Sequence, residues 1–126
     1  MRNNKFYICE HCGNLVELIY DAGVSITCCG QKMKRLEPGI TEASHEKHLP
    51  VISVDENTVT VNVGSVEHPM TEEHSIIWVC LQTDKGIQRK HLEIGKAPIV
   101  TFGLFDEKPV AVYAYCNLHG LWKTNI

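Results

Sequence analysis

Beyond Gly39 the chain alternates apolar and polar positions with a period of two. Val59-Thr60-Val61-Asn62-Val63 alternates strictly, Ile76-Ile77-Trp78-Val79-Cys80-Leu81 is a β-branched and aromatic run, and Ile99-Val100-Thr101-Phe102-Gly103-Leu104-Phe105 continues in kind. Successive side chains of a strand point to opposite faces, so these segments predict strands with one face on a core. Turn-forming clusters separate them at Asp55-Glu56-Asn57, Asp84-Lys85-Gly86, Glu93-Ile94-Gly95 and Asp106-Glu107-Lys108-Pro109. The spacing is short and no helical repeat intervenes. About seven short strands are expected, enough for two packed sheets. The one helical turn that the pattern allows lies within Thr41 to His48.

The residues before Gly39 follow a different logic. Four of the six cysteines lie there, as Cys9-Glu10-His11-Cys12 and, fifteen residues later, the adjacent pair Cys28-Cys29. Glu37-Pro38-Gly39 is a turn or linker signal, which divides the chain into domains 1–37 and 38–126. A unit of under about 40 residues buries too little apolar surface to hold itself together, so it requires a metal or covalent staple. The chain has 126 residues, 44% hydrophobic and 21% charged, the balance of a globular protein rather than of a disordered chain or coiled coil. Twelve Lys+Arg against fifteen Asp+Glu leave a formal charge of -3 with no basic stripe, which excludes nucleic acid as the expected partner. The segment from Met1 to Cys9 carries no apolar core or cleavage site, and no stretch reaches the length of a membrane span. The expected location is therefore the cytoplasm, and in a reducing compartment cysteines favour metal ligation over disulfides.

A Cys-x-x-Cys turn lets two thiolates converge on one ion while backbone N–H groups point at the sulfurs. Cys28 and Cys29 complete a tetrahedron with no vacancy for a substrate, so such a site is structural or carries electrons. Zinc and iron both fit. Zinc ribbons usually repeat the two-residue gap in the second pair, whereas here the second pair is adjacent. The spacing, with Tyr7-Ile8-Cys9-Glu10-His11-Cys12-Gly13-Asn14 and Cys28-Cys29-Gly30, resembles the rubredoxin-like iron site of the desulforedoxins. That resemblance implies iron in four thiolates, with His11 a solvated turn residue.

Six histidines and two cysteines remain: His45, His48, His68, His74, His91, His119, Cys80 and Cys116. Cys116-Asn117-Leu118-His119 places a thiolate and an imidazole three apart at a strand end, and His68 to His74 places two imidazoles across a Pro-containing loop. A mixed imidazole and thiolate set suits zinc, copper or iron. Five protein ligands with one vacancy would indicate redox iron, because zinc keeps to four.

Three blocks carry a closer resemblance: Glu46-Lys47-His48-Leu49-Pro50-Val51-Ile52, Gly64-Ser65-Val66-Glu67-His68-Pro69-Met70 with His74, and Tyr115-Cys116-Asn117-Leu118-His119-Gly120-Leu121-Trp122. Together with the four-cysteine segment they resemble the desulfoferrodoxin family of two-iron superoxide reductases over nearly the whole chain. The resemblance implies His48, His68, His74 and His119 as equatorial ligands, Cys116 as axial thiolate, and Glu46 and Lys47 as the loop pair beside the vacant position. It departs at Ala114, where many members carry Glu, so the surroundings of the thiolate differ here. His45 and His91 match no ligand position and read as surface residues, and Cys80 reads as a buried inert thiol.

The implied fold is all-β: a small metal-stapled rubredoxin/desulforedoxin-like N-terminal domain followed by a seven-stranded immunoglobulin-like β-sandwich. The implied cofactors are two non-haem iron ions per chain, and the implied reaction is one-electron reduction of superoxide to hydrogen peroxide without dioxygen. A rubredoxin-type electron donor and a homodimer are the implied partners, with no membrane. A net positive ferrous site would attract the anion, and the thiolate would stabilise the ferric product. The rival is a non-enzymatic electron carrier or zinc-stabilised binding module, which predicts no vacant ligand position.

Overall fold

The computed structural model describes residues 4–40 and 48–126, so the helical turn expected within Thr41 to His48 lies largely outside the described residues. The chain separates into two compact units, Met1–Glu37 and Pro38–Ile126.

In the first unit β1 (Lys5–Ile8) pairs antiparallel with β2 (Leu15–Leu18), and β3 (Thr27–Cys28) with β4 (Gln31–Lys32). A short β5 (Lys34–Arg35) adds to the other edge of β1. Leu36 donates its backbone N–H to the Phe6 carbonyl at 2.8 Å, closing the unit on its first strand. Phe6 and Cys9 are its buried apolar residues, far too few to stabilise it by burial alone.

Among the described residues the second unit has seven strands in two sheets: β6 (Pro50–Asp55), β7 (Thr58–Val63), β8 (Ile76–Thr83), β9 (Gly86–His91), β10 (Ile99–Gly103), β11 (Pro109–Cys116) and β12 (Gly120–Asn125). One sheet runs β10-β7-β6 and the other β12-β11-β8-β9, with every pair antiparallel. Inward positions of both sheets form the core, where Val59, Val61, Val63, Val79, Leu81, Phe102 and Val112 have no accessible surface. The alternation in β7 is thus the sandwich pattern of one buried and one open face.

Two departures from strict alternation have local causes. The run from Ile99 leaves its sheet at Gly103, and Leu104 instead donates its N–H to the Asn57 carbonyl at 2.7 Å. From Trp78 onward β8 is buried on both faces because its outer side chains are covered. Trp78 stacks on Tyr115 with ring centroids 5.6 Å apart, the Arg89 guanidinium lies 5.5 Å from the Trp78 ring, and Arg89 donates to the Cys80 sulfur at 3.3 Å. Cys80 consequently has no accessible surface, and His91 is exposed.

Phe102 is the largest apolar side chain of the buried inner face of the three-stranded sheet. Phe102→Ala is expected to destabilise the second unit by about 3–5 kcal/mol. Urea unfolding followed by tryptophan fluorescence checks this, since Trp78 and Trp122 both report on this unit; an unchanged midpoint would contradict the packing described.

Candidate metal centres

The first cluster is built by a tight turn after β1 and a hairpin end after β3. Cys9 donates its backbone N–H to the Asn14 carbonyl and accepts one from Gly13 at its own carbonyl, both at 2.8 Å, which curls the Cys9-to-Cys12 segment around its own sulfurs. Gly13 has φ +85°, a conformation open to glycine at little cost. The adjacent pair is accommodated differently: Cys29 itself takes φ +53°, followed by Gly30 at +72°. The left-handed conformation of Cys29, the second ligand of the pair, brings its thiol to the same side as that of Cys28. The Cys12–Cys28 sulfurs are 3.6 Å apart and the Cys28–Cys29 sulfurs 3.9 Å. A metal–sulfur bond of about 2.3 Å gives a tetrahedron edge of about 3.8 Å. The sulfur of each of Cys9, Cys12, Cys28 and Cys29 lies within 4.8 Å of every other, and no disulfide links them.

The protonation of these thiols is uneven. The Cys12 backbone N–H donates to the Cys9 sulfur at 3.4 Å and lowers that thiol to about 6. The sulfurs of Cys12, Cys9 and Cys28 push Cys29 up to about 12, and Cys28 is raised by its contacts with Cys12 and Cys9.

The second cluster gathers residues from strand ends that the antiparallel pairing brings to one end of the sandwich. His48 precedes β6, His68 and His74 lie in the connection from β7 to β8, Cys116 ends β11 and His119 sits in the turn to β12. The register pairs Pro50 with Val63, and Cys116 with both Ile76 and Gly120, so these ends are neighbours. A register irregularity between Tyr115 and Cys116 re-aims the last residue of β11. Donor atoms of His48, His68, His74 and Cys116 lie within 4.8 Å of one another. His119 joins them: its Nδ1 is 3.0 Å from His48 Nε2 and 3.8 Å from the Cys116 sulfur. Two nitrogen ligands at right angles, each about 2.1 Å from one ion, are separated by about 3.0 Å. His68 Nδ1 lies 2.8 Å from the Pro69 carbonyl, which as acceptor fixes the N–H on Nδ1 and leaves Nε2 for an ion.

Burial is graded across this cluster. Cys116 has no accessible surface, His48 1% and His68 3%, while His74 is half-buried and His119 exposed. Glu46, Lys47 and His45 lie outside the described residues. Ala114 is fully buried within the core cluster, next to Cys116 on the same face of β11.

Two further residues act on this cluster that the sequence reading does not single out. Asn117 accepts the Ser75 N–H at 3.0 Å and donates to the Glu73 carbonyl at 2.9 Å, bracketing His74. Trp122 stacks on His48 at 4.7 Å and 12° and donates its indole N–H to the His119 carbonyl at 3.1 Å. Proximity to the Cys116–His119 turn is the only signal that could have found them.

Comparison with known proteins gives this geometry a family. A family model described as desulfoferrodoxin matches residues 40–125, and one described as the desulfoferrodoxin N-terminal domain matches residues 1–36. This chain belongs to the desulfoferrodoxin family. The desulfoferrodoxin of Nitratidesulfovibrio vulgaris is 44% identical over 119 residues, covering 94% of each chain. The desulfoferrodoxin homolog of Archaeoglobus fulgidus is 43% identical over 118 residues, again covering 94% of each. The crystal structure of the superoxide reductase from Treponema pallidum superposes with a TM-score of 0.85 at 39% identity, covering 99% of this chain and all of that one. The two clusters correspond to the two iron centres of a desulfoferrodoxin, one tetrathiolate and one of imidazoles and a thiolate, and their donor sets fit those ions.

Metal loading of the tetrathiolate centre should fall with acid. Thiols whose pKa is raised hold protons that the metal must displace, so Cys28 and Cys29 each cost affinity as pH drops. Below pH about 6 Cys9 adds a further proton. Two displaced protons correspond to at least about a 100-fold loss of affinity per pH unit, steepening below 6. A chelator-competition titration between pH 5 and 8 checks this, and a flat profile would contradict it.

Proposed function

We propose that this chain is a superoxide reductase that converts superoxide to hydrogen peroxide at the centre formed by His48, His68, His74, His119 and Cys116, with Cys9, Cys12, Cys28 and Cys29 holding the other iron. The observation that carries this reading is the approach of His119 Nδ1 to His48 Nε2 beside the Cys116 sulfur, which makes a fifth donor where a zinc module would stop at four. Relatives named superoxide reductase support it: that of Treponema pallidum over the full length, and that of Pyrococcus abyssi, 34% identical over 106 residues.

Bound at this centre, iron supplies the single electron that, with two protons, takes superoxide to hydrogen peroxide. The protein's contribution is to arrange access and charge. Cys116 is the desolvated floor, where an anionic sulfur is a strong donor, and His119 is the exposed lip, along which a diatomic anion and water reach the cluster. Protons come from that solvent. Each turnover consumes one electron, which an external donor of the rubredoxin type supplies. Glu46 and Lys47 are the proposed functional pair: Lys47, next to His48 in sequence, would attract the anion, and Glu46 would offer the iron a carboxylate. The same reading carries a homodimer and a cytoplasmic location.

Cys116→Ser is expected to abolish superoxide reduction and the thiolate-to-ferric absorption of this centre while leaving the tetrathiolate absorption intact. Spectra of both centres with a superoxide-reduction assay test it; retained turnover would sink the assignment, and loss of both absorptions would mean that the two centres are not independent.

Lys47→Ile is expected to slow the second-order capture of superoxide by roughly one order of magnitude, within the ~10 to 10³ range of electrostatic steering. The native rate should fall more steeply with salt than the variant's, because screening acts over about 10 Å at 0.1 M. Glu46→Ala should not slow capture, since it removes a repelling charge. Pulse radiolysis at two ionic strengths decides the matter, equal rates for native and Lys47→Ile being the contrary result.

A further inference from the structure

Trp122 touches two of the five donors at once. Its indole lies nearly parallel to the His48 ring, 4.7 Å between centroids and 12° between planes, and its N–H reaches the carbonyl of His119 at 3.1 Å. His48 and His119 are 71 residues apart, and their ring nitrogens stand 3.0 Å from each other. A single rigid side chain therefore sets both the tilt of one imidazole and the backbone from which the other projects.

What sets Trp122 is in turn visible. Gly39 pairs with it across an isolated parallel bridge: Gly39 donates its N–H to the Leu121 carbonyl and accepts the Lys123 N–H, both at 2.9 Å. A Cβ on Gly39 would stand 2.7 Å from two ring carbons of Trp122, closer than atoms can pack. The backbone of Gly39 thus packs directly against the six-membered ring of the indole, with no room for a side chain between them. The constraint at Gly39 is spatial, since no left-handed φ requires a glycine there.

We propose that Trp122 is a positioning residue for the imidazole–thiolate centre, and that Gly39, at the start of the second unit, fixes its place as a backstop no other residue can supply. The inference rests on the reading of these five donors as one metal centre. Groups that orient metal ligands from behind are worth about 10- to 100-fold in metal affinity, which gives the scale of the expected effect.

Three variants separate the contributions. Trp122→Phe keeps an aromatic face against His48 and removes the hydrogen bond to His119; Trp122→Leu removes both; Gly39→Ala pushes the ring without touching any donor. The probe is cobalt(II) added to metal-free full-length protein, read by chelator competition and by the cobalt absorption and circular dichroism of the imidazole–thiolate centre. The tetrathiolate centre of the same molecule is the internal control. Trp122→Leu and Gly39→Ala are expected to bind about 10-fold or more weakly with altered ligand-field bands, Trp122→Phe to fall between them and the native protein, and the tetrathiolate bands to stay unchanged. Far-UV circular dichroism identifies a variant that fails to fold, in which case Gly39→Ala and Trp122→Phe carry the test. Native affinity and bands in Trp122→Leu would overturn the positioning role. A native Gly39→Ala beside an impaired Trp122→Leu would overturn the part given to Gly39. Absence of a mixed cobalt site in the native protein would instead strike the underlying reading of the centre.

Discussion

Mutual repulsion among ligands is the constraint on which both units depend. Four sulfurs held within 4.8 Å of one another stand far inside the screening length of about 8 Å at physiological salt. As thiolates they would drive one another apart, and the divergent acidities of Cys9 and Cys29 register that conflict. A cation among them converts the repulsion into attraction. Among the described residues of the first unit only Phe6 and Cys9 are buried and apolar, so this exchange of sign stands in for a hydrophobic core.

The second unit solves the same difficulty with rigidity. Its five donors come from three separate segments of chain, and each segment is anchored by a strand end of a well-packed sandwich. Neutral imidazoles repel less than thiolates, so the scaffold bears less strain to hold four of them, and the one anionic ligand is placed where water does not reach. The Asn117 brace around His74 and the Pro69 carbonyl on His68 show how little freedom is left to the loops themselves.

Much of this was legible in the chain because strands and metal turns are local signals. Period two in Val59 to Val63 and turn clusters at Asp55 to Asn57 require no knowledge of distant residues, and the structure turns there with Glu56 at φ +51°. The spacing of Cys9, Cys12, Cys28 and Cys29 is local in the same sense. By contrast, the alternation names no strand before residue 38, yet five are present among the described residues. Two-residue strands such as β3 to β5 are too short to show a period, and β5 finds β1 across some 27 residues of sequence. The stack of Trp122 on His48 and the seat of Trp122 on Gly39 are likewise long-range, and nothing in the composition of either segment announces them. Strand β8 hid its outer face because Arg89 and Tyr115, which cover it, come from neighbouring strands.

That covered face bears on survival as well as on packing. A protein that releases peroxide bathes its own thiols in oxidant, and a thiol that climbs past sulfenic acid is not readily recovered. Five of the six cysteines, Cys9, Cys12, Cys28, Cys29 and Cys116, lie in the two clusters, where a bound ion would occupy the sulfur; Cys80 has no such protection. It is instead sealed inside β8 beneath the Arg89 guanidinium, with no surface for peroxide to strike. Damage at Cys80 therefore requires the sheet to open first, so its oxidation state records how often this sandwich has come apart during its working life.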